Sequence, residues 1–447
     1  MRIGYSRRHI WAAGFAGFLI VGFVGAIGTA SAAKLKTLRA FCARADCRDG
    51  DTLAAGLVMD ATGNLYGASE NGGAYGEGAI FQLSKVQETG RWKERVIHSF
   101  CKEGFSQCKD GHNPWGSLVL DVNGNLYGNT MAGPFIDDPS VVFELMPDSD
   151  RKKWRVKVLY HFCSRATQKS NCADGDDIFR SGLAYQGQAD GVPFDGVSPL
   201  YGAAAGEGRH SAGVVFQLTP VTGKSKWKER VLYAFCAKQN CADGERPWGR
   251  LVVDHQGNLF GVAGELEKPG VAYEMSQTEG HWQETVLHRF CQEKNCEDGA
   301  NPNALVIDGQ GALLGTTYGG GANDWGTIFK IVPSGENSAY QVLYSFCSQP
   351  DCADGGAPYA GLTVDSSGDL FGPTGESDEP LPGTVFRFSQ GGTLTTLHQF
   401  CTADCNDGEF PESELLLGPN NTLFGTTLVG GKHGSDNTGG TVFQITY

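Results

Sequence analysis

The fold of this chain is decided by residues 227–261, which read WKERVLYAFCAKQNCADGERPWGRLVVDHQGNLFG. In order, the segment contains a run that ends in Phe-Cys, a second cysteine, one further residue and Asp-Gly, a short apolar run, and a Gly-Asn-Leu-Phe-Gly turn. The runs alternate with a period of two residues and are bounded by Gly, Asn and Asp, which is typical of β-strands. No window of the chain shows helical spacing, so an all-β fold is predicted.

The Phe-Cys marker recurs along the whole chain. Each copy carries two cysteines, and the 14 cysteines form seven local pairs with none left over. The Phe-Cys pairs begin at Phe41, Phe100, Phe162, Phe235, Phe290, Phe346 and Phe400. The cysteine pairs are Cys42/Cys47, Cys101/Cys108, Cys163/Cys172, Cys236/Cys241, Cys291/Cys296, Cys347/Cys352 and Cys401/Cys405. Three further apolar runs separate successive markers, so each repeat of roughly 55 to 60 residues holds four short strands.

Four short strands per repeat predict the blade of a β-propeller, because such sheets stack face to face around a ring. The chain opens with Leu35 to Phe41, a fourth strand without the first three. It ends with Leu415 to Leu417, Thr422 to Gly425 and Thr441 to Tyr447, three strands without a fourth. We therefore predict a seven-bladed β-propeller of four-stranded blades in a single domain, residues 33–447. The N-terminal strand completes the last blade and removes an open sheet edge.

These residues also resemble a known family. Gly-Asn-Leu-Tyr-Gly at 63–67 and 124–128, the Gly-Gly loops and strands such as Thr384 to Phe388 look like the GloVer tandem repeat of exported "choice-of-anchor" bacterial proteins. The likeness covers residues 35–447. It implies a propeller-like fold and export, and it implies no defined activity and no catalytic residues. The sequence departs from the family pattern by ending on a strand at Tyr447, without a surface anchor.

Charge and the N-terminus bear on the compartment. With 36 basic and 50 acidic side chains, the net charge is -14, which argues against nucleic-acid partners and anionic membrane surfaces. Residues 1–32 read as a signal peptide, with Arg2, Arg7 and Arg8 before an apolar stretch and Ala30-Ser31-Ala32 as the cleavage site. An uncleaved anchor and a twin-arginine signal are the alternatives. A secreted or periplasmic protein without membrane insertion after signal cleavage is expected.

The cysteine pairs predict seven local disulfides, because paired cysteines in an exported chain form in an oxidising compartment. A zinc site would need four ligands, and each repeat offers two sulfurs without a fixed histidine nearby. The Asp-Gly after each second cysteine has two interpretations. One is turn chemistry, with Asp accepting backbone N–H bonds. The other is a ring of carboxylates on one face that holds Ca²⁺ or a cationic ligand, for which Asp243, Asp298 and Asp354 are the candidates. No other cofactor is predicted.

The loops between the second and third strands differ most among the repeats, and function in a ring of copies should lie where the copies differ. These loops mix acids with aromatic rings, and aromatic faces beside carboxylates suit carbohydrates or cations. The candidate binding residues are Asp137, Glu207, His210, Tyr318 and Trp325. The alternative is that these loops are merely solvated. Extra residues in the third repeat, 186–198, are expected to shield one sector of a face.

No catalytic residue is predicted, since the chain has no Gly-x-Ser-x-Gly elbow, no His-Glu-x-x-His and no phosphate loop. His98, His288 and His398 share a strand position with Tyr160, Tyr233 and Tyr344, which indicates a packing position. We therefore expect a non-catalytic exported propeller that binds an extracellular ligand or protein. An extracellular hydrolase or lyase with loop carboxylates such as Asp137 and Glu207, and a cell-surface scaffold, are the alternatives.

Overall fold

The predicted strands form in the computed structural model, apart from the innermost strand of the third repeat, and the structure describes residues 33–447 except 105–107, 132–139, 164–171, 179–180, 225, 265–268, 376–382 and 435–437. Ala33–Tyr447 clusters as one compact unit. In the described part of the chain, no helix is long and apolar enough to cross a membrane. The strands in chain order are β1 (Lys34–Ala40), β2 (Val58–Met59), β3 (Leu65–Ser69), β4 (Ala79–Lys85), β5 (Trp92–Ser99), β6 (Val119–Leu120), β7 (Leu126–Asn129), β8 (Val141–Pro147), β9 (Trp154–His161), β10 (Leu200–Ala204), β11 (Val214–Pro220), β12 (Trp227–Ala234), β13 (Pro247–Val253), β14 (Leu259–Ala263), β15 (Val271–Thr278), β16 (His281–Arg289), β17 (Ala300–Ile307), β18 (Leu313–Gly319), β19 (Thr327–Val332), β20 (Ala339–Ser345), β21 (Thr363–Val364), β22 (Leu370–Thr374), β23 (Thr384–Phe388), β24 (Leu394–Gln399), β25 (Leu416–Gly418), β26 (Thr422–Thr427) and β27 (Thr441–Thr446).

The strands form seven antiparallel sheets, the blades of a seven-bladed β-propeller. Blades one, two, four, five and six are β2–β5, β6–β9, β13–β16, β17–β20 and β21–β24, and blade seven has the order β1-β27-β26-β25. Blade three contains β10–β12, and its innermost strand is reduced to a single antiparallel bridge between Ala184 and Tyr201. The cause is local, because the extra residues 186–198 separate this innermost segment from β10 and leave a short ladder.

Short turns of 3-10 type lie in several of the loops between blades, and the sequence analysis did not describe them. Cys241 and Cys352, predicted only as disulfide partners in loops, each also end a three-residue turn with hydrogen bonds of the 3-10 type, in which Asn240 and Asp351 have positive φ values of 55° and 54°. A turn of three residues is too short to show a helical period, so the sequence gives no sign of it and the all-β prediction is unaffected. The 3-10 turns of the described residues are Ala45–Cys47, Gln188–Asp190, Gln239–Cys241, Lys294–Cys296 and Pro350–Cys352.

The N-terminal strand closes the ring, as predicted. β1 pairs antiparallel with β27, from Lys34 opposite Thr446 to Ala40 opposite Thr441. Blades seven and one also share a side-chain hydrogen bond, in which the Thr426 hydroxyl donates to the Ala55 carbonyl at 3.1 Å. The closing pair therefore covers the outer edge that blade seven would otherwise expose.

The core lies between adjacent blades and is built on the repeated phenylalanine. All seven Phe-Cys phenylalanines are fully buried. Each ring packs against an aromatic ring on the third strand of the next blade, with centroids 4.7 to 5.3 Å apart. The glycine that ends the Gly-Asn-Leu-Tyr-Gly motif lies under that second ring, and at Gly67 an added Cβ would come within 2.6 Å of Phe81. The motif thus needs glycine because the ring occupies the space of a side chain.

Candidate functional site

The seven predicted disulfides are confirmed, and no cysteine is free. Each disulfide closes a loop between the outer strand of one blade and the inner strand of the next. The bonds are Cys42–Cys47, Cys101–Cys108, Cys163–Cys172, Cys236–Cys241, Cys291–Cys296, Cys347–Cys352 and Cys401–Cys405.

The helical turns inside these loops give the second cysteine a backbone role that the sequence analysis missed. Cys241 and Cys352 are half-buried and have positive φ values of 50°. The Cys241 carbonyl accepts a hydrogen bond from the Gly244 amide at 2.8 Å, and the Cys352 carbonyl accepts one from Gly355 at 2.8 Å. Each of these cysteines therefore links the 3-10 turn to the Asp-Gly turn as well as closing the disulfide.

The disulfide loops lie beside the loops between second and third strands. The Gly73 amide donates to the Cys47 carbonyl at 3.1 Å, and the Gly321 amide donates to the Cys296 carbonyl at 2.9 Å. These bonds place both sets of loops on one face of the ring, which we call the upper face.

The Asp-Gly aspartates hold the disulfide loops together. The Asp243 carboxylate accepts hydrogen bonds from the amides of Ala237 at 2.8 Å and Lys238 at 3.2 Å. The Asp354 carboxylate does the same with Ser348 at 2.9 Å and Gln349 at 3.1 Å. These bonds are those expected from the turn interpretation, since an aspartate that caps a turn accepts backbone N–H groups.

The strand position predicted to be packing has a polar role that the sequence did not reveal. In every blade this side chain contacts the aspartate of its loop, for example Tyr233 and Asp243 at 2.7 Å, or His398 and Asp407 at 2.8 Å. The seven pairs are Arg39/Asp49, His98/Asp110, Tyr160/Asp174, Tyr233/Asp243, His288/Asp298, Tyr344/Asp354 and His398/Asp407. Arg, His and Tyr replace one another here because each can donate a hydrogen bond to a carboxylate.

The hydrogen bonds change the acidity of these aspartates. Burial alone would raise the pKa of Asp354, but the Tyr344 hydroxyl and the two loop amides outweigh burial and lower it. The pKa of Asp407 is lowered in the same way, against burial, by His398 and the Cys401 amide. Asp243, Asp298 and Asp354 lie in three separate loops and are almost fully buried. Their assignment to a metal site stays a prediction, and the geometry gives each of them a structural task.

The predicted binding residues are spread over the upper face. Asp137 lies outside the described residues. Glu207 is half-buried and His210 is exposed, both in blade three. In blade five, Trp325 packs against the core between blades five and six. Tyr318 reaches inwards and meets the ring of Tyr359 edge-on, with centroids 5.8 Å apart. The structure therefore brings only Tyr318 of these described residues towards the centre of the ring.

The centre of the upper face is a channel opening that we call the mouth. It is lined by residues from all seven blades and narrows to a cavity of about 60 Å³. Three aromatic rings, Trp115, Trp248 and Tyr359, stand on its wall with Asn303 and Glu412. Trp248 meets Tyr359 edge-on with centroids 6.5 Å apart, and its indole N–H donates to the Pro302 carbonyl at 2.9 Å.

The mouth residues occupy one position of the repeat, the residue after the repeated proline or its equivalent. In the described blades this position holds Ala54, Trp115, Trp248, Asn303, Tyr359 and Glu412. The sequence analysis missed them because it looked for variation only in the longer loops. A usable signal was present, since this single position varies between flanking residues that repeat.

The backbone holds the mouth residues rigidly. Two residues before each mouth position the chain adopts a positive φ in all seven blades, at Thr52, Asn113, Asp177, Arg246, Asn301, Ala357 and Phe410. In that conformation the amide reaches the preceding blade, as when Arg246 donates to the Ala212 carbonyl at 2.7 Å and Ala357 to the Trp325 carbonyl at 2.9 Å. These hydrogen bonds between blades hold the strained backbone conformation. That backbone in turn fixes the direction of the side chains that follow it.

Below the mouth an ion pair crosses the channel. Arg250 of blade four and Glu414 of blade seven meet with Nη2 and Oε2 2.7 Å apart. The two side chains keep 33% and 19% of their surface exposed. Both groups line the mouth and also the space beneath it, so the pair divides the channel into two compartments.

The compartment beneath the ion pair, which we call the chamber, has a volume of about 390 Å³. Its walls are the innermost strands, with apolar side chains such as Val58, Val252 and Val306. The blade-three insertion lines its lower end through Gln188, Ala189 and Gly191.

The insertion is held against two blades on the lower face. The Val122 amide of blade two donates to the Phe194 carbonyl at 2.9 Å, and the Gln186 amide group donates to the His255 carbonyl of blade four at 3.3 Å. Asp190 also lies 3.3 Å from His255. The extra residues therefore border the channel as well as one sector of the lower face.

Comparison with known proteins supports the repeat and the fold. The model of the Gloeobacter/Verrucomicrobia repeat matches residues 263–447, which confirms the family resemblance over the last part of blade four and blades five to seven. A comparison with curated protein sequences finds no match.

Three solved structures that match this chain have 11% to 16% sequence identity to it, and the first of them, with a TM-score above 0.5, supports the fold alone. The extracellular domain of a protein assigned as a one-component system from B. thetaiotaomicron is 12% identical with a TM-score of 0.52, over 91% of this chain and 42% of that chain. This chain thus spans less than half of that protein. A protein assigned as a 6-phosphogluconolactonase from Bacteroides uniformis is 16% identical with a TM-score of 0.45, over 77% and 84%. A protein of unknown function from Dyadobacter fermentans is 11% identical with a TM-score of 0.43, over 92% and 99%.

Proposed function

We propose that this chain is an exported, non-catalytic binding propeller and that its ligand binds at the mouth. The observation that carries the proposal is the single variable repeat position that surrounds the channel. Its neighbours repeat because the fold requires them, whereas this position changes around the ring and holds Trp115, Trp248, Tyr359 and Glu412 in four of the blades. A concave site with convergent aromatic and polar groups is the usual form of a small-molecule site.

The chemistry of the mouth favours the end of a carbohydrate. The C–H faces of a sugar ring stack on indole and phenol rings, while carboxylates and amides such as Glu412 and Asn303 take its hydroxyl groups. The cavity of about 60 Å³ holds a few water molecules at most, so a sugar would rest on the aromatic rim rather than enter the channel. A cationic group is the competing ligand, because aromatic faces beside a carboxylate attract cations too.

Export is part of the proposal. The seven disulfides support it, because such bonds persist in secreted and periplasmic proteins and are rare in the cytosol. The signal peptide predicted for residues 1–32 lies outside the described residues. An extracellular domain among the proteins of similar fold is consistent with this compartment.

The test is calorimetric titration of the oxidised protein with neutral oligosaccharides and with tetramethylammonium. We expect an oligosaccharide to bind and the Trp248→Ala variant to lose about tenfold or more in affinity, or about 1.4 kcal/mol. Tyr75→Ala is the matched control, since Tyr75 is an aromatic ring 46% exposed on a blade-one loop. We expect it to bind as the unmodified protein does.

Each other outcome has a defined meaning. Unchanged sugar affinity in Trp248→Ala would remove the mouth as the site. Tighter binding of tetramethylammonium than of any sugar would replace the carbohydrate by a cation. Cleavage of the oligosaccharide during the titration would make the protein an enzyme, and no binding of either class would leave a scaffold.

A further inference from the structure

The chamber has the size and the walls of a second binding site. Its volume of about 390 Å³ lies within the range of roughly 300–1,000 Å³ that is usual for small-molecule sites. At the level of the innermost strands it is lined by apolar residues whose side chains stay partly exposed, among them Val58, Val252, Val306, Val364 and Leu416. The walls therefore favour a ligand with an apolar body.

One end of the chamber is charged. Among its described lining residues, Arg250 and Glu414 are the only ionisable ones. They come from opposite sides of the ring and form one ion pair, with Nη2 and Oε2 2.7 Å apart. Because both side chains remain partly exposed, at 33% and 19%, a ligand can reach either group without entering the protein core.

The balance of these two charges restricts which ligand can bind between them. A simple cation would pair with Glu414 and leave Arg250 without its carboxylate. A simple anion would leave Glu414 without its guanidinium. Loss of a partner is costly for a charge that is mostly removed from water. A zwitterion avoids both costs, because its carboxylate pairs with Arg250 and its ammonium group with Glu414.

We propose that the chamber binds a free α-amino acid with an apolar side chain. The ligand separates the two ends of the ion pair, and its carboxylate and ammonium groups become their new partners. The apolar side chain points into the chamber, where it leaves water. This inference does not depend on the mouth ligand, since it rests on the opposite side of the ion pair.

The first experiment varies the ligand. L-leucine and L-phenylalanine are titrated calorimetrically, each beside the analogue that lacks the carboxylate and the analogue that lacks the ammonium group. For leucine these are 3-methylbutan-1-amine and 4-methylpentanoate. We expect an amino acid to bind and both of its analogues to bind at least tenfold more weakly. Absence of binding by both amino acids, or analogues that bind equally well, would overturn the proposal.

The second experiment varies the protein. Arg250→Met and Glu414→Gln are each expected to weaken amino-acid binding at least tenfold, while Arg209→Met, which removes an exposed charge of blade three, leaves it unchanged. Unweakened binding in both channel variants would overturn the assignment to the ion pair. Thermal unfolding of each variant shows whether it is folded, and the ligand series remains decisive if either channel variant is not.

A third variant separates the chamber from the mouth. Ala189 is exposed at the lower end of the chamber, so Ala189→Trp should obstruct it without disturbing the core. Val197→Trp, in the same insertion and 66% exposed, is the control. We expect amino-acid binding to fall only in Ala189→Trp and to persist in Trp248→Ala. If Ala189→Trp bound normally and Trp248→Ala did not, the amino acid would belong to the mouth and the chamber would be excluded.

Discussion

The disulfide loops and the mouth lie a few residues apart in every repeat, yet they follow opposite rules. In the loops the same residue types recur seven times, and each does the same work, with Phe290 in the core and Asp298 under the loop amides. At the mouth the corresponding position changes from Trp115 to Asn303 to Glu412. The repeated residues thus serve the structure of every blade interface. The position that varies between them sets the chemistry at the centre of the ring.

The largest expected effect tests the repeated half of this comparison. Phe290 is fully buried and packs on Phe329 of the next blade, with centroids 5.1 Å apart. Truncation of a buried aromatic ring leaves a cavity, so Phe290→Ala should lower the free energy of unfolding by about 3–5 kcal/mol. Denaturant unfolding measures it.

Tyr75→Ala serves as the control for Phe290→Ala, because its ring is 46% exposed and its loss should change stability by no more than about 0.5 kcal/mol. Similar losses in the two variants would contradict the view that the repeated phenylalanine anchors the blade interface.

The next effect concerns the aspartate of the loop and its pH dependence. Hydrogen bonds lower the pKa of Asp354 in the folded state, although burial opposes them. The stabilisation they provide is therefore complete above the unfolded pKa of about 3.9 and is lost as the pH falls through the lower folded pKa. Asp354→Asn should cost about 1–2 kcal/mol at pH 7, since hydrogen bonds to a charged group are replaced by weaker ones.

Unfolding measured from pH 7 down to pH 2 tests the sign of the Asp354 effect. The difference between the unmodified protein and Asp354→Asn should stay level near pH 5 to 7 and shrink below about pH 4. Asp351→Asn, an exposed residue of the same loop, should show no such difference. A gap between Asp354→Asn and the unmodified protein that widened in acid would contradict the lowered pKa.

The blades and their closure could be predicted because their signals repeat. A strand pattern that recurs seven times, with a lone fourth strand at one end and three strands at the other, predicts both the blades and the pairing of β1 with β27. The 3-10 turns that end at Cys241 and Cys352 could not be predicted, because three residues carry no period.

The mouth and the ion pair beneath it were hidden for two different reasons. No single residue type occupies the mouth position in every repeat, although tryptophan occurs twice, so a search for repeated residues passes over it. Arg250 and Glu414 belong to blades four and seven, which face each other across the channel. Only the closed ring brings these two side chains together. The mouth position is visible in the sequence only as a variable residue between repeated neighbours, whereas the ion pair becomes visible only once the ring is built.

Polar contacts were also hidden where different residues do one job. His98 and Tyr160 looked like a tolerant packing position, and the structure shows that each contacts a loop aspartate, as does Arg39 at the same position in β1. Sequence patterns report size and hydrophobicity well, whereas a shared ability to donate a hydrogen bond becomes visible only when the acceptor is located.

The smallest expected effect tests the longer upper loops, where binding was first predicted. His210 is exposed, and it lies outside the lining of the mouth and the chamber. His210→Ala should therefore change the free energy of unfolding by no more than about 0.5 kcal/mol. Its affinity for the mouth ligand should stay within about twofold, against a tenfold loss in Trp248→Ala, which is a difference of about 1 kcal/mol. Calorimetry on both variants with the same ligand measures the contrast. If His210→Ala lost as much affinity as Trp248→Ala, the long upper loops would also contribute to ligand binding. The proposal that binding depends on the mouth position alone would then be wrong.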